Sequence, residues 1–475
     1  MSGALLALHR TEGSVAEIGV RLVSRACQDG WPDACFLVEL GLTGAKRRPL
    51  AVLLTANVIS ITGSSLTLMG VPWFVLQSTG SAADAGVVAF CAMLPVALAA
   101  LMGGPVVDRL GRRRVSIASD LVCGAAVGAV PLLQSAGMLR FWVLCALMAV
   151  TGLFHAPGDT ARAVLLPVLA QRAAVPLSRA AGFYDGASRC AGMIGSAVGG
   201  VLIAVLGASH VLAVDAATFA VSAVLIASGL RGLPEARSRT EIRQTGLRAY
   251  RRALAEGYRY VLASPMLLSI CLVTMLAQGL DQGWSAVLLP LHVRDSLGGP
   301  SALGLVEALF CGGALAGALL YGAAGHRFRR WPVYVVAFLI VGAPRFIVAA
   351  LTGTVAPLAV MMTIEGLACG AINPILATTI YQTVPDELRS RVLSATTASA
   401  LMIAPLGGLA AGFLAGTVGL TDTLLAVGGV YLLVTLYPAI FPAWKLLDHP
   451  GQLPARSGKP IAPGPSTPAP TWAPG

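Results

Sequence analysis

At 475 residues, with 56% hydrophobic and 12% charged side chains, the chain has the length of two or three soluble domains but is too apolar to form them. Its mean hydropathy of +0.77 excludes a soluble globular protein. The net charge of +11 therefore calls for a membrane explanation before a nucleic-acid one.

Residues 1–45 hold only short apolar runs, broken by Glu17, Arg21, Arg25, Asp29, Asp33 and Glu39. They read as an N-terminal extension, neither signal peptide nor span, with a surface helix possible over 15–27. Apolar runs of about 20 residues follow, each able to cross about 30 Å of hydrocarbon. Twelve are expected, near 50–77, 84–107, 115–136, 140–160, 182–207, 210–230, 266–290, 301–324, 332–352, 355–380, 392–417 and 422–442. Lipid satisfies no backbone group, so each must be a helix. The polar break at 231–264 divides six spans from six. Within it Leu247, Tyr250, Leu254, Tyr258 and Val261 share one helical face, with Arg248, Arg251, Arg252 and Arg259 largely off it, as in a helix lying along a lipid interface. The expected units are thus an extension (1–45), an N-terminal bundle (46–230), a linker with an amphipathic helix (231–264), a C-terminal bundle (265–445) and a disordered tail (446–475) rich in Pro, Gly, Ala and Ser.

Basic residues gather in alternate loops. Lys46, Arg47 and Arg48 precede the first span, and further groups lie at 109–114, 162–179, 231–259, 327–330 and 389–391. The opposite loops hold only Arg140 and Arg294. Positive residues stay in the cytoplasm, so both termini are expected there, in a multi-pass protein of the cell membrane. Nine cysteines show no CxxC pair and read as small buried hydrophobes rather than metal ligands or disulfides.

The two halves echo each other. "GPVVDRLGRR" (104–113) aligns with "GAAGHRFRRW" (322–331), "LLPVLAQRAAVPLSRA" (165–180) with "QTVPDELRSRVLSA" (382–395), and "SAVGGVLIA" (196–204) with "APLGGLAAG" (404–412). Paired six-helix repeats are a mark of secondary transporters. The loop between spans two and three, with Gly104, Asp108, Arg109, Gly111, Arg112 and Arg113, resembles the G-x-x-x-D-R-x-G-R-R signature of the major facilitator superfamily. "VPWFVLQSTGSA", "MLPVALAALMGGPVVDRLGRRRVSIASD" and "EGYRYVLASP" are similar to its drug:proton antiporters, the Tap-type multidrug efflux group especially. The resemblance covers nearly all of 50–445 and implies an all-α polytopic membrane protein of the major facilitator fold, twelve transmembrane helices in two six-helix bundles.

Asp108 is an anion suited to the unpaired N–H groups of a helix N-terminus. The resemblance places that terminus at span eleven, near Ser390–Ser394, where the contact would hold the cytoplasmic gate shut at about 0.3–2 kcal/mol. Read as topology signals alone, the arginines leave Asp108 unexplained. In the second repeat His326 replaces the aspartate, so a weak latch or none is expected there. Small residues recur every four positions: Ala187, Ala191, Gly195 and Gly199 on span five, Gly313 and Gly317 on span eight, and Gly408, Gly412 and Gly416 on span eleven. Close packing of fixed helices accounts for any one stripe. The family's pairing of span five with eight and two with eleven makes them gate surfaces. Ser196 stands where relatives often carry proline, whereas Pro405 keeps it on span eleven.

Ionisable groups inside spans usually face a cavity or one another. Arg345 and Glu365 fall near mid-membrane in spans nine and ten, as an ion pair or as a proton and substrate site. Asp120 sits early in span three, Asp281 and Glu307 in the outer halves of seven and eight, and Asp215 in the outer part of six. Asp185 and Arg189 suit an intrahelical pair. A carboxylate in an apolar cavity holds a proton that a lipophilic cation can displace, which is the minimum for proton-coupled export. Glu365 and Asp120 lead as coupling candidates, with Arg345, Asp281, Asp215 and Glu307 behind. His155 is a minor candidate, and Trp73, Phe74, Phe154, Phe183, Tyr184 and Trp284 are candidates for a greasy wall. Span four, ended at 160, carries no mid-membrane arginine. No phosphate loop, metal cluster or nucleophile constellation is evident, so no cofactor and no enzyme activity are expected. Proton-driven export of amphipathic drugs is the leading reading, and a carrier for one metabolite, lipid or siderophore is the alternative. The expected partners are a small molecule, protons and the bilayer, without nucleic acid. One chain already supplies both halves, so a monomer is expected.

Overall fold

The computed structural model describes residues 47–231, 247–384, 386–441, 444, 445 and 447. The side chains of 101–106, 108, 109, 178, 247–254, 326, 381, 386, 387, 389, 390 and 394 are not among those described. The expected extension, the first part of the linker and the expected tail apart from Leu447 lie outside the described residues, as do the side chains of Asp108, Arg109 and His326.

Every described element is a helix. The first six spans are α1 (Arg48–Thr79), α2 (Ala82–Leu110), α3 (Arg112–Ser135), α4 (Phe141–Arg172), α5 (Leu177–Leu206) and α6 (Ala208–Gly229). α7 (Leu247–Ala263) is the amphipathic segment. The seventh span is α8 (Pro265–Gly283), a π turn (Trp284–Leu288) and α9 (Leu289–Ser296); the eighth is α10 (Pro300–Ala324). The ninth is broken into α11 (Arg330–Val341) and α12 (Pro344–Leu351), and α13 (Val355–Thr383), α14 (Asp386–Val418) and α15 (Leu420–Ile440) complete twelve helical stretches long and apolar enough to span a bilayer.

Short connections force neighbouring helices antiparallel. Gly111 alone joins α2 to α3, and its φ of 91° is a left-handed conformation that side chains resist. Ser81 opens α2 by accepting a hydrogen bond from the Asp84 amide at 3.2 Å. One expectation is corrected: the fourth span does not stop at 160 but runs to Arg172, through Pro157 and Pro167. Arg162, counted in sequence among the loop cations, is therefore inside a helix and only 1% exposed.

We define the basic end of the molecule as that of the Arg112–Arg114 loop. In the first half α1 packs on α5 and α6, α2 on α4, and α3 on both α4 and α6. In the second, α10 packs on α13, α8 on α14, and α11 and α12 on α13 and α15. The halves meet through α2 against α14 and α5 against α10. In both seams glycines bring the backbones together away from the basic end. A Cβ on Gly304 would lie 2.6 Å from the Gly200 Cα, and one on Gly412 would lie 2.9 Å from the Gly86 Cα. Backbone touches backbone there, as small residues permit in lipid. α7 lies on α14: Glu256 accepts from Arg391, and Tyr258 Oη is 2.9 Å from Ser399 Oγ.

Gly304→Val should lower thermal stability in detergent by about 1–3 kcal/mol, because neither backbone can yield. Gly322→Val, whose Cβ would meet nothing within 4 Å, should leave the melting temperature near wild type.

Candidate functional site

Three groups of ionisable side chains are turned inward within the spans among the described residues. In the first half Arg162 of α4 pairs with Asp120 of α3, both 1% exposed, and Ser222 of α6 donates to the second Asp120 oxygen at 2.7 Å. Arg162 also approaches Asp159 at 3.7 Å, and His155 lies 3.3 Å from Asp159. Asp120 thus belongs to a network of three helices, and Arg162, its partner, is the residue that sequence reasoning missed. The i, i+3 spacing of Asp159 and Arg162 was the available signal.

In the second half Arg345 of α12 is the hub. It pairs with Glu365 of α13 at 2.6 Å and with Asp281 of α8, and Tyr431 of α15 donates to Asp281 at 3.0 Å. The guanidinium lies over the rings of Phe346, Trp284 and Tyr431 at 4.8, 5.3 and 5.3 Å. Two carboxylates therefore share one cation. Glu365 is fully buried, and its Oε2 has no hydrogen-bond partner among the described residues. Glu307 of α10 is half-buried and forms no ion pair among the described residues.

The third group is Asp215 of α6, also fully buried. Its two oxygens accept from Thr67 of α1 and, at 3.1 Å, from Thr218. No Lys or Arg pairs with it among the described residues. Asp215 instead lines a cavity of about 330 Å³ between α1, α2, α4, α6 and the seventh span. The wall is mostly apolar, including Leu68, Met93, Val96, Met148 and Phe219, with His155 and Gln282 among its polar members.

Of the aromatic candidates none lines this cavity; Phe219 does. Trp73 and Phe74 are core residues, Tyr184 donates to Asn57 at 2.9 Å, and Trp284 flanks Arg345. Asp185 and Arg189 pair at 3.0 Å on an exposed face of α5. In the signature loop Gly111 makes the turn, and Arg113 donates to the Ala227 carbonyl in the last turn of α6 at 2.6 Å, a cation at a helix C-terminus. Arg112 is half-buried, while the surroundings of Gly104, Asp108 and Arg109 lie outside the described side chains. The small-residue stripes divide. Gly195 and Gly199 face Thr62, Ser65 and Leu66 of α1, and Gly313 and Gly317 face α13, so these four pack within a half rather than across the seam. Gly408 and Gly412 do face α2.

Twelve spans, two halves meeting along small-residue seams and charged groups turned inward define a polytopic helical carrier. The Major Facilitator Superfamily model matches residues 53–282 and 272–472, and the chain belongs to that superfamily. It is 34% identical over 414 residues to the multidrug efflux pump Tap of Mycolicibacterium fortuitum, covering 86% of this chain and 99% of that one. It is 33% identical over 416 residues to the Tap pump of Mycobacterium tuberculosis, covering 86% and 96%. A solved structure of the nucleoside transporter NupG matches with a TM-score of 0.69 at 13% identity, over 82% of this chain and 99% of that one; this likeness bears on the fold alone.

Breaking the Asp120–Arg162 pair should cost about 3–5 kcal/mol, since the survivor is left as an uncompensated buried charge. Asp120→Leu and Arg162→Met are each expected to unfold at lower temperature. The double variant should recover most of the loss, a non-additivity that thermal melts of the three proteins would reveal.

Proposed function

We propose that the chain exports amphipathic small molecules across the cell membrane by alternating access, driven by protons moving the other way. The observation that carries this reading is a mostly apolar cavity with one fully buried carboxylate, beside a separate cluster in which two carboxylates share one guanidinium. A ligand for the first is greasy and cationic. The second cluster is neutral when it holds one proton, and the bare Oε2 of Glu365 is the place for it. The names of the Tap relatives, and of the macrolide efflux protein A of Streptococcus pyogenes at 22% identity, support a drug as the cargo.

In this reading residues 46–230 and 265–445 are the rocking bundles, 231–264 links them, and both termini and the basic end face the cytoplasm. Tight packing at Gly200–Gly304 and Gly86–Gly412 supports a conformation closed on the outer side. Asp108 is the cytoplasmic latch, holding the inner side shut when the outer side is open, and a single chain is the working unit. Asp120, held by its own arginine, serves as a structural member of the first bundle rather than as the proton carrier.

Cells expressing the chain should accumulate less ethidium than controls, and a protonophore should abolish the difference. Glu365→Gln should remove at least about tenfold of the export rate, the loss expected when a proton-binding charge is erased from hydrocarbon. Uptake in place of export, or sodium-dependent transport indifferent to the protonophore, would overturn the reading and favour a carrier for one metabolite, lipid or siderophore.

A further inference from the structure

The ionisable groups divide unevenly between the halves, and the cavity touches only one kind. None of Arg345, Glu365 and Asp281 lines it, whereas Asp215 does. A buried carboxylate in hydrocarbon costs several kcal/mol unless it meets a proton or a cation. Of the other carboxylates Asp120 has Arg162, and Glu365 and Asp281 share Arg345, while Glu307, only half-buried and outside the cavity wall, has no ion pair among the described residues. Asp215 has hydroxyls, which donate hydrogen bonds but bring no positive charge.

Space has been made for this carboxylate. A Cβ at Gly63 would collide with Asp215 Oδ1 and with the Thr218 hydroxyl, so α1 can approach α6 here only as glycine. The charged and titratable groups facing Asp215 are few. α1 presents Thr67. α4 presents His155, already close to Asp159. The nearest carboxylate of α3, Asp120, is tied to Arg162. Around Glu365 the list is different: Arg345 from α12, Asp281 from α8, Glu307 from α10 and Tyr431 from α15.

We infer that the chain separates cargo from proton: Asp215 receives the cationic group of an amphipathic substrate in the first half, the Arg345 cluster takes the proton in the second, and the seventh span couples the two. The proposal rests on the export reading above and adds where each ion sits. The substrate class follows from the wall: a single positive charge, as a protonated amine or an onium centre, on an apolar body near the lower end of drug size. The coupling follows from consecutive residues. Asp281 holds Arg345, while Gln282, the next residue, lines the cavity. Trp284, two residues on, stacks edge-on against Phe346 beside Arg345, and Ala286 returns to the cavity wall. The two faces are those of one helix, and the π turn at Trp284–Leu288, a departure from regular helix that frequently marks functional positions, carries Trp284 on the first and Ala286 on the second. A proton on Glu365 leaves Arg345 to Asp281 alone, and any resulting shift of Asp281 moves the adjoining cavity residue.

The test is binding of tetraphenylphosphonium, with neutral triphenylphosphine oxide as the uncharged comparison, to the purified full chain in nanodiscs. Wild type should prefer the cation by at least about tenfold, and bind it more tightly in mildly alkaline than in mildly acidic buffer. Asp215→Asn should abolish the preference while leaving the oxide unchanged. Glu365→Gln should keep the preference and lose the pH dependence. Met93→Trp, which fills the cavity, should weaken both probes. The inference is overturned if Asp215→Asn binds the cation like wild type, if Met93→Trp binds both normally, or if one carboxylate variant removes preference and pH dependence together. It is also overturned if wild type shows no preference for the cation. Any of these results in a chain that still exports ethidium sinks only the division of sites; absence of ethidium export sinks the parent reading.

Discussion

A charge buried in hydrocarbon has to be answered by another, and that constraint organises this molecule. Arg162 and Arg345 are nearly free of solvent, and each is held by carboxylates on neighbouring helices. The two solutions fall on corresponding helix pairs of the repeat, with the signs exchanged. In the first half the acid is on span three and the arginine on span four; in the second the arginine is on span nine and the acid on span ten. The same helix pairs are thus clamped in both bundles.

The seams between the halves interlock little. Glycine against glycine gives close backbone approach without interdigitated side chains. One polar tie crosses the same region. Arg294, at the end of the seventh span, donates to the carbonyls of Leu76 and Gly80 at the C-terminal end of α1, at 3.2 and 3.4 Å. A cation at a helix C-terminus contributes about 0.3–1 kcal/mol. The seam thus rests on backbone contact more than on polar ties among the described residues.

Hydrophobic run length made the twelve spans legible, because the bilayer imposes a minimum that sequence cannot hide. Boundaries were less so. The last turns of span four contain Asp159, Arg162 and Arg172, charges that look like a loop in sequence until Asp120 is seen to cover Arg162. The Arg345–Glu365 pair was foreseeable from matching depths, but Asp281 as its third member was not, since linear sequence does not say which side of a helix meets which neighbour. The cavity was the least legible feature. Its wall mixes ordinary aliphatics with Phe219, while more conspicuous aromatics such as Trp73 are spent on packing. Glycine periodicity named the close contacts without naming their partners. Gly195 and Gly313 pack within their own halves, and Gly200 and Gly304, off the stripes, carry the seam.

Irregular backbone inside a membrane is tolerated only where protein or an internal cavity surrounds it. Both irregularities of the second half adjoin Arg345. The π turn begins at Trp284, under the guanidinium, and the break in span nine at Gly342–Pro344 immediately precedes Arg345 itself, with Gly342 against the Tyr431 and Thr435 side chains. A straight helix carrying either residue would transmit a change of charge only as a rigid shift. A helix already wound differently at that point can rewind locally, and the turn it rewinds lies between the ion-paired Asp281 and the cavity-lining Ala286. The electrostatic hub and the apolar cavity thus draw on one short stretch of the seventh span, Asp281 and Trp284 for the first and Gln282 and Ala286 for the second.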